Sequence, residues 1–173
     1  MKPTTLLLSI GLSCLAACSG SDGTHLHFTD VNSAMSQAEA AAAAENSETA
    51  LAAFAYAILE GDAEVKAEAL QGLLQFQLKQ GAESDAMDTF ARLTRECADS
   101  VKGSDVVKFL QTADAQNLAE AGQTMIAYSS ERFPEIRDEL IKLEASFQDL
   151  RLNAPSEGSD MKGIGYVDSD SQQ

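Results

Sequence analysis

Ala50-Leu51-Ala52-Ala53-Phe54-Ala55-Tyr56-Ala57 is echoed 36 residues later by Ala86-Met87-Asp88-Thr89-Phe90-Ala91-Arg92-Leu93. Each stretch opens on a small residue, places Phe four residues on, and returns to the same face three residues after that. Positions three and four apart share one face of a helix, so each reads as one helix with a common packing edge. The small residue lets a neighbouring helix approach, and the Phe ring fills the groove beside it. Between the two copies lies a third helical segment. Leu70, Leu73, Leu74 and Leu78 form one stripe, and Ala69, Gly72 and Phe76 add a second. A helix apolar on two sides is sandwiched between neighbours rather than laid on a surface. A period in the middle thirties is the size of one helix–turn–helix unit. The chain is therefore expected to be all-α, with about six helices in stacked antiparallel hairpins.

Boundary signals extend this reading in both directions. Asn32 or Ser33 can cap a first helix running through the alanines at 40–44. Ser47 is a candidate N-cap for a second helix ending near Glu60, with Gly61 as its stop. Asp62 can cap a third helix to about Gln80, stopped by Gly81, and Ser84 a fourth to about Ser100, with Gly103 beyond. Ser104 can start a shorter fifth helix through Leu110, with Thr112-Ala113-Asp114 interrupting before a further helix to about Tyr128. Pro134 suits the first turn of the last helix. There Ile136, Leu140, Leu143, Phe147 and Leu150 step by four and three, the cleanest amphipathic stripe in the chain.

Composition excludes several functions. The 173 residues carry a formal charge of −15 and no Trp. Such acidity opposes nucleic-acid binding, which needs a basic footprint. It also opposes direct adsorption on anionic headgroups. Ala-, Leu- and Glu-rich segments with few β-branched runs favour helix. No phosphate-binding Gly-rich loop and no nucleophile motif occurs. The carboxylates Glu135, Asp138 and Glu139 stand at a helix start, where they favour the helix dipole and solubility. His25 and His27 could supply two metal ligands, but a closed site needs about four. No enzyme activity, cofactor or metal site is expected. Cys97 extends the face Ala86, Phe90, Leu93 and is expected to lie in the core.

Residues 67–98 resemble a tetratricopeptide repeat. Leu70, Leu73, Gly81, Ala86 and Phe90 stand where that family has its first aromatic, its Leu, its turn Gly, its small Ala and its second-helix aromatic. Leu74, Gln77, Leu93 and Ala98 depart from the family's small residue, Tyr, Ala and closing Pro. In the earlier copy Ala38, Ala50, Phe54 and Ala57 match, and the turn has Glu45 in place of Gly. A third copy around 104–150 is expected to need a longer spacing. The resemblance implies a peptide or helix held on the concave inner faces of the hairpins, with Leu70, Leu73, Ala86 and Phe90 as packing residues rather than ligand contacts.

The N-terminus is a separate signal. Lys2 is the only charge in residues 1–17 and precedes Leu6-Leu7-Leu8-Ser9-Ile10-Gly11-Leu12. This is the pattern of a secretory signal, too short for a transmembrane span. It closes on Leu15-Ala16-Ala17-Cys18, which resembles the lipobox of bacterial lipoproteins. That resemblance implies cleavage before Cys18, lipidation of Cys18, and anchoring outside the cytoplasm. Ser19 in place of Asp implies the outer membrane. Cys14 leaves with the signal.

The expected organisation is thus a signal at 1–17, a tether at 18–32, a helical domain at 33–152 and a disordered tail at 153–173. The expected function is an envelope protein–protein interaction scaffold or adaptor, with an envelope protein or peptide as partner and the membrane reached through the lipid. The alternative is a small self-associating bundle with the 136–150 stripe as its seam.

Overall fold

The computed structural model describes residues 26–153. The signal segment, Cys18, His25 and the residues from 154 onward lie outside them. Seven α-helices and no strand occur among the described residues: α1 (Val31–Ala43), α2 (Ser47–Glu60), α3 (Ala63–Lys79), α4 (Glu83–Glu96), α5 (Gly103–Ala115), α6 (Ala119–Arg132) and α7 (Arg137–Asn153). Short 3-10 turns at Ala98–Ser100 and Pro134–Ile136 precede α5 and α7. The fold is all-α. Helices α1/α2, α3/α4 and α5/α6 are three hairpins. Helices α1, α3, α5 and α7 lie side by side in sequence order, and α4 packs on α6 in the other layer.

The 36-residue period runs through all three hairpins without a break. Their turns fall at Glu45, Gly81 and Asn117, and all three residues have positive φ, at 57°, 70° and 59°. The hydrogen bonds repeat in step. The N–H groups of Asn46, Ala82 and Leu118 donate to the carbonyls of Ala41, Gln77 and Ala113 at 2.9, 3.0 and 2.9 Å. Those of Glu45, Gly81 and Asn117 donate to Ala42, Leu78 and Asp114. This is a Schellman ending, which satisfies the last carbonyls of the outgoing helix through one left-handed residue. The packing positions repeat as well. Ala34, Leu70 and Val106 are buried, as are Ala38, Leu74 and Leu110, and on the second helices Ala50, Ala86 and Gly122, then Phe54, Phe90 and Ile126. The expectation of a longer spacing for the third copy is corrected: Gly122-x-x-x-Ile126 keeps the period, hidden because Gly and Ile replace Ala and Phe.

The left-handed turns give a stability test. A residue with a Cβ in this region costs about 1–2 kcal/mol, less for Asn, and Gly costs nothing sterically. Glu45→Gly is expected to raise the urea midpoint, by about 1 kcal/mol of stability, and Asn117→Gly by less. Gly81→Ala is expected to lower it by a similar amount. A loss of stability in either glycine variant, or a gain in Gly81→Ala, would contradict the shared geometry.

Several helix boundaries differ from those expected. Asp30, not Asn32 or Ser33, caps α1 by accepting from the Ser33 N–H at 2.8 Å. Asn46, not Ser47, caps α2. Asp62 caps α3 as expected, accepting from Glu64 and Val65. This early cap gives α3 an extra first turn where α5 and α7 have a 3-10 turn. Ser84 caps nothing, because the preceding turn starts α4 at Glu83. Helix α4 ends at Glu96, with Cys97 as its cap and buried in the core. Thr112-Ala113-Asp114 do not interrupt a helix. Thr112 Oγ1 donates back to the Lys108 carbonyl and Asp114 accepts from Ser146, so neither side chain competes with the α5 backbone. The break comes at Asn117 instead, and α6 continues past Tyr128 to Arg132.

Helix α6 has no side-chain cap of its own. Glu83 of α4 supplies one in trans, accepting from the Ala121 N–H at 2.9 Å. An acceptor with negative charge at a helix N-terminus satisfies an orphan donor and complements the dipole. Phe28, from the stretch expected to be tether, packs its ring 5.2 Å from that of Tyr56 and joins the core.

Helix α7 buries a different face from the other first helices. Lys142, Ser146 and Asp149 follow Val106, Leu110 and Ala113 by one period but are polar. The 136–150 stripe turns inward instead: Ile136, Leu140 and Phe147 are buried, and Leu143 and Leu150 pack against the core. Its rings and branches lie on α5 and α6. The stripe is consumed within the domain rather than presented as a seam.

Candidate functional site

A groove of about 690 Å³ opens along the side-by-side first helices of the hairpins. Helix α1 contributes Met35 and Glu39, α3 contributes Glu68, Gln71, Gly72 and Gln75, and α5 contributes Asp105, Lys108, Gln111 and Thr112. The period explains why these meet. Glu39, Gln75 and Gln111 stand one repeat apart, so the same helical position faces the groove three times. The positions one turn away from the hairpin core are polar because they contact neither the partner helix nor the next hairpin fully.

The floor is built by a glycine. Gly72 is in mid-helix, and a Cβ there would lie 2.7 Å from Cε1 of Phe54. Its absence lets α3 settle onto the Phe54 ring, which lines the groove from below. Gly in a helix interior costs about 1 kcal/mol relative to Ala, so the ring contact has to offset it. A smaller hollow of about 230 Å³ continues past Phe54 toward Lys79 and the end of α1.

The walls present mainly hydrogen-bond acceptors. Gln75 Nε2 donates to Thr112 Oγ1 at 2.7 Å, which ties α3 to α5. Gln71 Nε2 donates to the Ser100 carbonyl at 3.2 Å. Each bond uses an amide hydrogen and leaves the Oε1 acceptor. Lys108 neutralises its own Asp105 at 3.3 Å. Glu39 and Glu68 have no cation within 4.0 Å among the described residues.

The densest charge cluster lies elsewhere. On α4, Glu96 meets Arg92 at 3.0 Å, Arg95 at 3.3 Å and Lys66 at 3.9 Å. The Arg92 hydrogen bond holds the Glu96 carboxyl below its ordinary value, assisted by that from Arg95. These groups lie at the surface, with Lys66 and Arg92 half-buried, and form a network tying α4 to α3.

Leu70, Ala86 and Phe90 are buried and Leu73 packs against the core, as expected of packing residues. His27 is exposed, and no group of three metal-ligating side chains occurs among the described residues. No described helix is long and apolar enough to cross a membrane. Sequence reasoning missed Glu39, Gln71, Gln75 and Gln111, since polar residues outside the core carry no hydrophobic periodicity. The 36-residue register, applied to polar as well as apolar positions, would have aligned Glu39, Gln75 and Gln111. No family model, curated protein or solved structure matches this chain.

Proposed function

We propose that this chain is a lipid-anchored adaptor of the bacterial envelope, acylated on Cys18 and holding a partner peptide in the α1–α3–α5 groove. The groove is the observation that carries the adaptor reading. It is a surface hollow built from equivalent positions of three hairpins, as stacked-repeat proteins use for binding. The unbroken period supports the tetratricopeptide-like reading of the hairpins. The Leu15-Ala16-Ala17-Cys18 signature supports the anchor. Only nine residues lie between Cys18 and Phe28, ten chain steps to where the packed domain begins. An extended chain spans at most about 3.6 Å per residue, which would keep the domain within roughly 36 Å of the bilayer surface.

Two measurements test the two halves. Metabolic labelling with a radioactive fatty acid should mark the wild-type chain, which should fractionate with membranes. Cys18→Ser should lose the label and appear in the soluble extracytoplasmic fraction. A labelled Cys18→Ser protein overturns the anchor. A photocrosslinking residue at Gln75, in the groove, should trap a partner in intact envelopes, and one at Arg95, on the outer face of α4, should not. Crosslinks at Arg95 alone overturn the groove.

A further inference from the structure

We infer that the groove is selective for an extended peptide carrying lysine or arginine. The inference rests on the adaptor reading and adds the chemistry of the partner. The first observation is charge. Glu39 and Glu68 face the groove without a counter-ion among the described residues, while Asp105 is already neutralised by Lys108. Among the described residues, Lys79 is the only other cation lining the groove or its adjoining hollow, and it sits at the hollow's far end. A cationic side chain entering beside Glu39 or Glu68 meets a vacant partner, and an anionic one meets repulsion from a chain whose formal charge is −15.

The second observation concerns hydrogen bonding. The groove offers side-chain amides from adjacent helices, with Gln71 and Gln75 keeping their carbonyl acceptors free. Gln111, one period after Gln75, adds an amide with both functions. Such a set suits groups that donate N–H and accept at C=O. An extended peptide has those groups unpaired along its length, whereas a helix has already used them internally. Packed helices lie about 8–10 Å apart, close to three residues of extended chain, so a crossing peptide meets one amide or carboxylate from each helix in turn.

The test uses the full chain in detergent micelles, panned against a random dodecapeptide library. Enriched sequences should hold more Lys and Arg than the library. A representative enriched peptide should bind Glu39→Gln/Glu68→Gln roughly 2- to 30-fold more weakly, the range for losing two exposed ion pairs. Its affinity for Glu60→Gln/Glu131→Gln, on outer faces of α2 and α6, should stay within about twofold. Thermal melting of both double variants should match the parent, since all four carboxylates are exposed. Enrichment of peptides without a basic excess, but blocked by Gln111→Trp, overturns the charge inference and leaves the adaptor reading standing. Equal weakening in both double variants overturns it as well, because overall acidity would then suffice. Failure to enrich any peptide overturns both.

Discussion

Phe147→Ala is expected to destabilise the domain by about 3–5 kcal/mol, the cost of deleting a buried aromatic ring that its surroundings cannot replace. Phe147 is fully buried. Its ring fits against Gly122 of α6 so closely that a Cβ at that position would lie 2.4 Å from both Cε1 and Cζ. The small residue and the ring are therefore two halves of one contact, and removing the ring leaves a void bounded by backbone. Domains of this size are stable by roughly 5–15 kcal/mol, so the loss is a large share of the total. Thermal unfolding followed by circular dichroism should show a fall of roughly 10–20 °C. A change below about 1 kcal/mol would mean that α7 is not fixed on α6 in this way. The melting temperature of the parent should not depend on protein concentration, because the α7 stripe is satisfied within one chain. Stability that rises with concentration would revive the 136–150 stripe as an oligomer seam.

The second large effect is expected at the floor of the groove. Gly72→Ala should destabilise the domain by about 1–3 kcal/mol through overpacking against Phe54. On helix propensity alone the same change would be stabilising by about 1 kcal/mol, so the sign of the result separates the two effects. Pairing it with Phe54→Leu supplies the control. Phe54 is buried, and its replacement by Leu should be destabilising by itself because α3 then rests on an unfilled space. In the double variant the added methyl and the lost ring compensate. The double should be more stable than the sum of the single changes predicts, with a coupling of about 0.5–3 kcal/mol. A stabilising Gly72→Ala, or strict additivity, would contradict the contact. Gly122 and Phe147 repeat the device at the other end of the stack, with the glycine and the ring on exchanged partners: in the first pair the ring comes from the earlier helix, in the second from the later one.

The proposed lipobox and the groove belong to different levels of the molecule. The proposed address at Cys18 rests on local sequence alone, the four residues Leu15-Ala16-Ala17-Cys18. The groove exists only once three helices far apart in sequence lie side by side. That is why hydrophobic periodicity picks out Leu70, Ala86 and Phe90 as packing residues but not Glu39, Gln75 and Gln111, which only the 36-residue register aligns. Burial selects apolar residues at fixed intervals and so leaves a pattern. Exposure in a groove permits almost any polar residue and leaves no hydrophobic pattern.

The helical class, the stop at Gly81, the Asp62 cap and the 36-residue period were determined by the sequence itself, because each rests on a residue's own backbone preference or on spacing along one helix. The third hairpin was decided by tertiary structure. Gly122 and Ile126 satisfy the same small-then-large packing as Ala50 and Phe54, and volume at a contact, not residue identity, is what the neighbouring helix senses. The left-handed turn at Glu45 is likewise imposed by hairpin closure on a residue that does not prefer it, whereas Asn117 adopts the same turn at lower cost. Tertiary structure also chose which face α7 buries and gave α6 its cap from Glu83, since both depend on a surface supplied by another helix.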